Sequence, residues 1–188
     1  MRVGVGYSEN PNTALAAEEA VKEALAQSAR LHGEELYGPC NLVLMFSTAQ
    51  HDAELLHASV SAKVGEGVPI IGGGAAGVIS NTRFGYGGDQ IIVALIWLEK
   101  AEYSLLVQEN LIDGEFGAGL ALGEKLVFSN ALPDSPVLLF YDAIDETREK
   151  TRLVMATPLL EGLEKSLGFL PNLIGAGLMS DYLLSPYK

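Results

Sequence analysis

The chain has 188 residues with 48% hydrophobic and 19% charged side chains, which supports one ordinary core or two small lobes and excludes a disordered composition. Its net charge of −12 argues against a nucleic-acid binder, which needs a basic face, and against an anionic membrane surface. The single cysteine, Cys40, cannot form a disulfide within the chain, so we expect a reducing, cytoplasmic compartment and a small buried residue.

The first part of the chain predicts strands that alternate with helices. Residues 3–7 form a short apolar strand, and an alanine-rich amphipathic helix follows from about residue 13. The apolar run 42–46 predicts a strand buried on both faces, and Asp52 can cap the next helix. A third strand at 68–71 completes a strand–helix–strand order, which predicts parallel pairing through a crossover helix.

The pattern changes after residue 80. Two apolar runs, 91–99 and 102–110, predict an antiparallel hairpin that turns at Lys100 and Ala101. Residues 112–126 repeat apolar side chains at helical spacing, although several glycines interrupt them. A buried strand at 137–140 and a helix at about 145–167, broken and recapped near Pro158, lead to a last strand and glycine turn.

Two segments of the chain match each other. Residues 43–46 align with 137–140, and Ile71-Gly72-x-Gly74 aligns with Ile174-Gly175-x-Gly177. We therefore predict an α/β fold with a mixed, largely parallel sheet, built from duplicated βαβ units with an antiparallel hairpin between them.

Gly72, Gly74 and Gly77 spell G-x-G-x-x-G after an apolar run, the letter pattern of a dinucleotide-binding turn. The residues after Gly77 are β-branched and then turn-like, so no helix N-terminus is available to face a pyrophosphate. We therefore expect no nucleotide cofactor, and no other cofactor is indicated.

Ligands of open parallel sheets bind at the carboxyl ends of the strands. The two glycine turns could present backbone N–H groups to an anion or a carboxylate. Arg83, in a glycine-rich turn, could clamp a carboxylate or be a solvated loop residue. The predicted ligand-binding residues are Ser47, Thr48, Gly72, Gly73, Gly74, Arg83, Asp142, Gly175, Gly177, Ser180 and Asp181.

Signals for catalysis and for metal binding are weak. The three histidines, His32, His51 and His57, do not form a ligand set with the spacing that zinc requires, and we interpret them as solvated helix residues. No G-x-S-x-G nucleophile elbow occurs in the sequence. Trp97 is interpreted as a core residue of its strand.

The order of these motifs resembles the N-terminal part of the FIST domain, a sensory and signal-transduction domain. The residues that carry the resemblance are G-V-G-Y-S near the start, P-I-I-G-G-G-A-A-G-V-I at 69–79, the strand I-I-V-A-L-I and L-I-G-A-G-L-M-S-D at 173–181. The resemblance implies one FIST N-terminal domain over 1–188. It also implies a non-enzymatic sensor of small ligands such as amino acids, and a C-terminal half or a signalling protein as partner.

This chain departs from the family pattern at the first glycine turn. Relatives read like G-C-S-T-A-G-E-I, whereas residues 72–79 here lack the Cys, Ser, Thr and Glu. Contacts that those side chains make in relatives do not carry over. The chain also stops where the family usually continues, so it is either a piece of a longer protein or a short member.

Three functions remain open from the sequence. The first is a ligand-sensing domain with its site at the strand ends. The second is an enzyme of unknown class in which Asp142 or Asp181 acts as acid or base. The third is a structural or assembly module whose glycines only allow tight packing.

Overall fold

The computed structural model describes residues 1–32, 38–48, 50–98, 103–109, 114–129, 135–145 and 152–179. The chain divides into two compact units, of which the first comprises Met1–Ala101 with Leu178–Lys188 and the second comprises Glu102–Gly177. The predicted turn at Lys100 and Ala101 lies outside the described residues.

The described residues form helices and strands in both units, which confirms the α/β class. The helices are α1 Thr13–His32, α2 Ala53–Val64, α3 Gly114–Phe128 and α4 Ala156–Leu167. The strands are β1 Arg2–Ser8, β2 Leu42–Ser47, β3 Ile70–Gly74, β4 Gly77–Ile79, β5 Phe84–Tyr86, β6 Ile91–Trp97, β7 Val137–Asp142, β8 Ile144–Asp145, β9 Arg152–Leu153 and β10 Leu173–Leu178.

The main sheet of the first unit is mixed and mostly antiparallel. The prediction of a largely parallel sheet is therefore wrong. Its strand order is β1-β6-β2-β3, in which β6 runs antiparallel to both of its neighbours and β2 runs parallel to β3. The predicted β2–α2–β3 crossover unit is confirmed. The sheet differs because β6, an uninterrupted apolar run, takes a central place between β1 and β2.

The predicted hairpin partner of β6 is wrong. Residues 103–109 form no strand, and β6 instead pairs with β1 from Arg2↔Trp97 to Ser8↔Ile91. The side chains of β6 are apolar on both faces. The strand is therefore more stable at the centre of a sheet, where both faces are removed from water, than in an exposed hairpin. Trp97 is buried, as predicted.

Helices α1 and α2 cover one face of the main sheet and form its core. Four alanines of α1 are fully buried, and Met45, Leu56 and Ile70 are among the largest side chains beside them. The small α1 side chains matter because β1 touches the helix backbone: a Cβ on Gly4 or Gly6 would overlap a carbonyl oxygen of α1.

Local chemistry sets the ends of α2 and the entry into β2. The Asp52 carboxylate accepts a hydrogen bond from Leu55 N at 2.7 Å, which confirms it as the N-cap, and Gly65 ends the helix. Cys40 is buried just before β2, and its burial raises the pKa of the thiol to about 11.

The predicted glycine turns are strand residues instead. Gly72 to Gly74 pair in register with Met45 to Ser47, and Gly72 has a φ of +150° that L side chains rarely adopt. A Cβ on Gly72 would also overlap the carbonyl oxygen of Met45. Successive N–H groups of a strand point to opposite sides, so these glycines do not converge on an anion as a nest would.

A small hairpin, β4–β5, follows β3 in the segment where the sequence indicates only a turn. Ile79 pairs with Phe84 and Gly77 with Tyr86 across it. The Ser80 hydroxyl accepts a hydrogen bond from Arg83 N at 3.0 Å and stabilises the connecting turn.

The second unit contains α3, α4 and short two-stranded pairs. Helix α4 begins at Ala156 and ends at Gly168, so the predicted helix start near residue 145 is wrong. Residues 144–145 and 152–153 pair as β8 and β9 instead, while 146–151 lie outside the described residues. The predicted helix across 112–126 is confirmed from Gly114 onward.

Strands β7 and β10 run in the same direction. Val137 N donates to Asn172 O at 2.8 Å, and a Cβ on Gly175 would overlap the carbonyl oxygen of Leu139. The first unit has the matching contacts, where Val43 N donates to Pro69 O at 2.9 Å and Gly72 lies against Met45 O.

Strand β7 is less buried than predicted. Leu138 is 49% exposed, because β7 pairs with β10 alone among the described strands.

Glycines also set the distance between α3 and α4. A Cβ on Gly119 would overlap the carbonyl oxygen of Leu159, and a Cβ on Gly162 would overlap that of Phe116. The glycines that weaken the helical pattern of α3 in the sequence therefore allow the two helix backbones to touch.

We predict that Gly162→Ala destabilises the second unit. On an open helix position this change is worth about 1 kcal/mol in favour of folding, whereas here the overlap with Phe116 should cost about 1–3 kcal/mol. Urea unfolding followed by circular dichroism measures the difference, and Glu161→Ala on the exposed side of α4 is the control. A more stable Gly162→Ala protein would contradict the contact.

Candidate functional site

The carboxyl ends of β1, β2 and β3 meet at one edge of the main sheet. Both β1 and β2 run antiparallel to β6, so they run parallel to each other, and β3 runs parallel to β2. Strands β1, β2 and β3 therefore end, at Ser8, Ser47 and Gly74, along the same edge of the sheet at which β6 begins with Ile91. Helices α1 and α2 each follow one of these strands and begin at this same edge.

Ser47 and Thr48 lie side by side in this edge with different surroundings. Both side chains are fully buried. The Thr48 hydroxyl donates to the carbonyl oxygen of Gly88 and accepts from Gln90 N at 3.0 Å. The Ser47 hydroxyl has no hydrogen-bond partner among the residues that the structure describes. Burying a hydroxyl without a partner costs free energy, so this atom is the unsatisfied group of the edge.

His51 connects three elements at the edge, and its interpretation as a solvated helix residue is wrong. The ring is 2% exposed, Nε2 lies 2.9 Å from Asp89 O and Nδ1 lies 3.2 Å from Thr13 Oγ1. In the sequence, His51 lies between the end of the β2 run and the Asp52 cap of α2. A polar side chain in this position can reach a neighbouring strand of the sheet.

His57 lies inside α2 and is half-buried, so the interpretation as a solvated helix residue does not fit it either. Its Nε2 has no hydrogen-bond partner within the described part of the chain, and burial lowers the pKa of the ring. His32 is exposed at the end of α1, as interpreted from the sequence.

Arg83 is not free to clamp a ligand in this structure. Its guanidinium donates to Glu23 Oε1 at 2.9 Å and lies over the Tyr7 ring, 5.3 Å from the ring centre. The other carboxylate oxygen of Glu23 accepts from Tyr7 N at 2.9 Å. Arg83 therefore fastens the β4–β5 hairpin to α1 and β1.

Tyr7 has a strongly raised pKa of about 12. Burial of the ring is the largest cause, and the hydrogen bond to Glu9 Oε1 at 2.5 Å and the charge of that carboxylate add to it. The Arg83 charge acts in the opposite direction. The phenol is therefore neutral across the physiological range.

Asp142, Gly175 and Gly177, the predicted site residues of the second unit, lie on the two-stranded sheet of β7 and β10. Asp142 ends β7 and is half-buried. Gly177, in β10, lies beside the ring of Tyr141 in β7. Ser180 and Asp181 lie outside the described residues.

An ion pair of the second unit has no counterpart in the sequence interpretation. The Arg152 guanidinium donates to Glu115 Oε1 at 2.6 Å, and this pairing lowers the pKa of the carboxyl.

Within the described ranges, no group of three or more His, Cys, Asp and Glu side chains is arranged to hold a metal ion. A search of the same residues for a helix that is long and apolar enough to span a membrane finds none.

We predict that the two neighbouring hydroxyls contribute very differently to stability. Thr48→Val should lower the free energy of unfolding by about 1–3 kcal/mol, because it leaves Gln90 N and Gly88 O without their side-chain partner. Ser47→Ala is the matched control and should leave the free energy of unfolding unchanged or raise it, because it removes a buried hydroxyl that has no partner among the described residues. Equal losses measured by urea unfolding would contradict this difference.

Stability should also depend on pH through Tyr7. The folded-state pKa of about 12 lies above the ordinary 10.0, so the fold favours the protonated phenol. This stabilisation is complete below pH 10 and is lost as the pH rises toward 12. We expect the free energy of unfolding to fall less steeply in Tyr7→Phe over this interval. Equal slopes in urea titrations of the two proteins would contradict the assignment.

Comparison with known proteins places this sequence in a family. The family model described as FIST N domain matches residues 41–185, which run from the entry of β2 to beyond β10. No curated protein and no solved structure matches the chain. Because the match covers most of the sequence, the chain belongs to the FIST N domain family of sensory and signal-transduction domains.

Proposed function

We propose that this sensory domain binds a small carboxylate, such as an amino acid, at the strand-end edge of its first unit. The observation that carries the proposal is the Ser47 hydroxyl, which is fully buried at the end of β2 and has no partner among the described residues. A ligand oxygen that accepts from this hydroxyl would remove the cost of burying it unpaired.

Two helix N-termini at the edge support a carboxylate. Helices α1 and α2 both begin there, at Thr13 and Ala53, and a helix N-terminus carries partial positive charge and unpaired N–H groups. Asn12 and Asp52 satisfy part of this demand with side-chain bonds to Leu15 N and Leu55 N. The Gly72 to Gly74 backbone contributes to this proposal by allowing close approach, not by forming a nest.

The second unit is proposed to hold a related edge. Its contacts between β7 and β10 match those between β2 and β3 at the aligned positions, which supports the predicted duplication. Asp142, Gly175 and Gly177 remain the proposed residues of that edge, and Ser180 and Asp181 remain proposed ligand-binding residues outside the described part of the chain. A C-terminal half or a signalling protein remains the proposed partner, and the cytoplasm the proposed compartment.

An assembly module without a ligand is the second candidate. The glycines that suggest a binding turn are accounted for by backbone contacts in both units. The His51 and Thr48 side chains are satisfied within the protein, as a purely structural edge would require. An enzyme that uses Asp142 or Asp181 has less support, because FIST domains are generally non-catalytic.

A thermal-shift panel of L-amino acids and small carboxylic acids separates these candidates. A binder present at about 100 times its Kd should raise Tm by about 5–10 °C. Ser47→Ala should keep or raise the Tm of the free protein, because it removes an unpaired buried hydroxyl, and should lose most of the ligand-induced shift, because that hydroxyl is the proposed ligand donor. If no compound shifts the wild-type protein, the assembly module is the better description.

A further inference from the structure

The two edge strands of the main sheet differ in what covers their outward backbone groups. The sheet ends in β1 on one side and in β3 on the other. At the β1 edge, Val5 N donates to Gln27 Oε1 at 2.6 Å. Tyr7 N donates to Glu23 Oε2 at 2.9 Å, so two side chains of α1 cover this edge. Side chains that bond to an edge keep another strand from pairing with it.

The β3 edge has no such cover. Pro69 O and Ala75 N bond to β2, just before and just after β3. The backbone groups of successive strand residues point to opposite sides, so those of Ile70 and Gly72 point away from β2. We find no described residue that forms a hydrogen bond with these outward groups. Both residues are buried, where backbone groups nearly always have a partner, so the edge requires one.

The edge acquires a partner at Gly74, the next residue whose backbone points outward. Its carbonyl oxygen accepts a hydrogen bond from Met179 N at 2.9 Å, and the two residues pair as an isolated antiparallel bridge. Met179 follows β10, and the chain from Leu178 onward belongs to the first unit. Because the bridge is antiparallel, the chain that leaves Met179 is directed back along β3 from Gly74 toward Ile70.

We propose that the β3 edge is a strand-binding surface and that residues 180–184 occupy it as a fifth, antiparallel strand of the main sheet. The register follows from the bridge in steps of two residues, so Asp181 pairs with Gly72 and Leu183 pairs with Ile70. In antiparallel pairing these are hydrogen-bonded pairs. The backbone of the segment then supplies the partners that the outward groups of β3 require.

The residues of the segment suit this register. Tyr182 lies across from Ile71, and an aromatic side chain beside a β-branched one is a favourable cross-strand pair. Ser180 lies across from Gly73, which has no side chain to obstruct it. Pro186 follows the segment and cannot donate to a strand ladder, so the pairing ends before it.

The occupant is the protein's own chain because Met179 already holds the segment at the edge. A segment tethered this closely has an effective concentration on the order of millimolar or above. A strand from a second copy or from another protein has to compete with it for the same backbone groups. Strand addition of this kind draws its affinity from main-chain hydrogen bonds.

Amide hydrogen exchange in NMR spectra of the full chain tests the proposal and its register. The N–H groups of Asp181 and Leu183 should be protected, because they point toward β3. Those of Tyr182 and Leu184 should exchange rapidly, because they point outward. Uniform rapid exchange across the four residues, or the opposite alternation, would overturn the proposal.

Nuclear Overhauser effects between Hα protons test the same register independently. In an antiparallel sheet the pairs without hydrogen bonds bring their Cα atoms closest. We expect Hα contacts between Tyr182 and Ile71 and between Ser180 and Gly73. Contacts in another register, or contacts of β3 with a different segment, would contradict the assigned strand.

Two proline variants of neighbouring leucines form a matched pair. Leu183→Pro removes an N–H that points toward β3, whereas Leu184→Pro removes one that points outward and should be tolerated. In Leu183→Pro, exchange at Ile70 and Gly72 should accelerate about five- to hundredfold. The amide of Ile71, which points toward β2, should exchange as in the wild type.

The two variants also separate the proposed occupant from others. Equal acceleration at Ile70 and Gly72 in both variants, or none in Leu183→Pro, would overturn the proposal. Protection of these two amides that persists in Leu183→Pro and falls on dilution would assign the edge to a second copy of the chain, and so would also overturn it.

Discussion

Backbones touch in this protein, and glycine is the residue that lets them. In the first unit β1 meets α1 at Gly4 and Gly6, and in the second α3 meets α4 at Gly119 and Gly162. At each contact a single methyl group would overlap a carbonyl oxygen. Close approach increases the dispersion contacts of the neighbouring atoms, so the glycines stabilise the packing although they contribute no side chain to the core.

The same constraint shapes the strand-end edge. Gly72 lets β3 lie against Met45 O of β2, which brings Gly74 opposite Ser47. Ala75, between β3 and the β4–β5 hairpin, then donates from N to Ser47 O at 2.8 Å. The Thr48 and His51 side chains of the edge bond within the protein, whereas the Ser47 hydroxyl has no partner among the described residues. This edge differs from a glycine nest, because the group that we propose as the ligand donor is a side-chain hydroxyl and not a set of backbone N–H groups.

Much of the fold follows from periodicity, and the differences have physical causes. The apolar run 42–46 predicts β2, and Asp52 predicts the start of α2. Both signals are local, so they can be read from the sequence. The local sequence does not reveal the partners of β6. The segment nearest to it in sequence is 103–109, whereas the strands that pair with it, β1 and β2, lie far away along the chain. Ser47 is recognisable as a strand-end residue, whereas the burial of His51 and the Arg83–Glu23 pair depend on contacts across 38 and 60 positions.

We propose that this FIST N domain binds a ligand beside Ser47. Titration of the isotope-labelled protein with L-phenylalanine, followed by amide chemical shifts in NMR spectra, tests it most directly. We predict saturable shifts that centre on Ser47, Thr48, Gly74 and Gly88 and that disappear in Ser47→Ala. Saturable shifts confined to other residues, or none at millimolar ligand, would contradict the account.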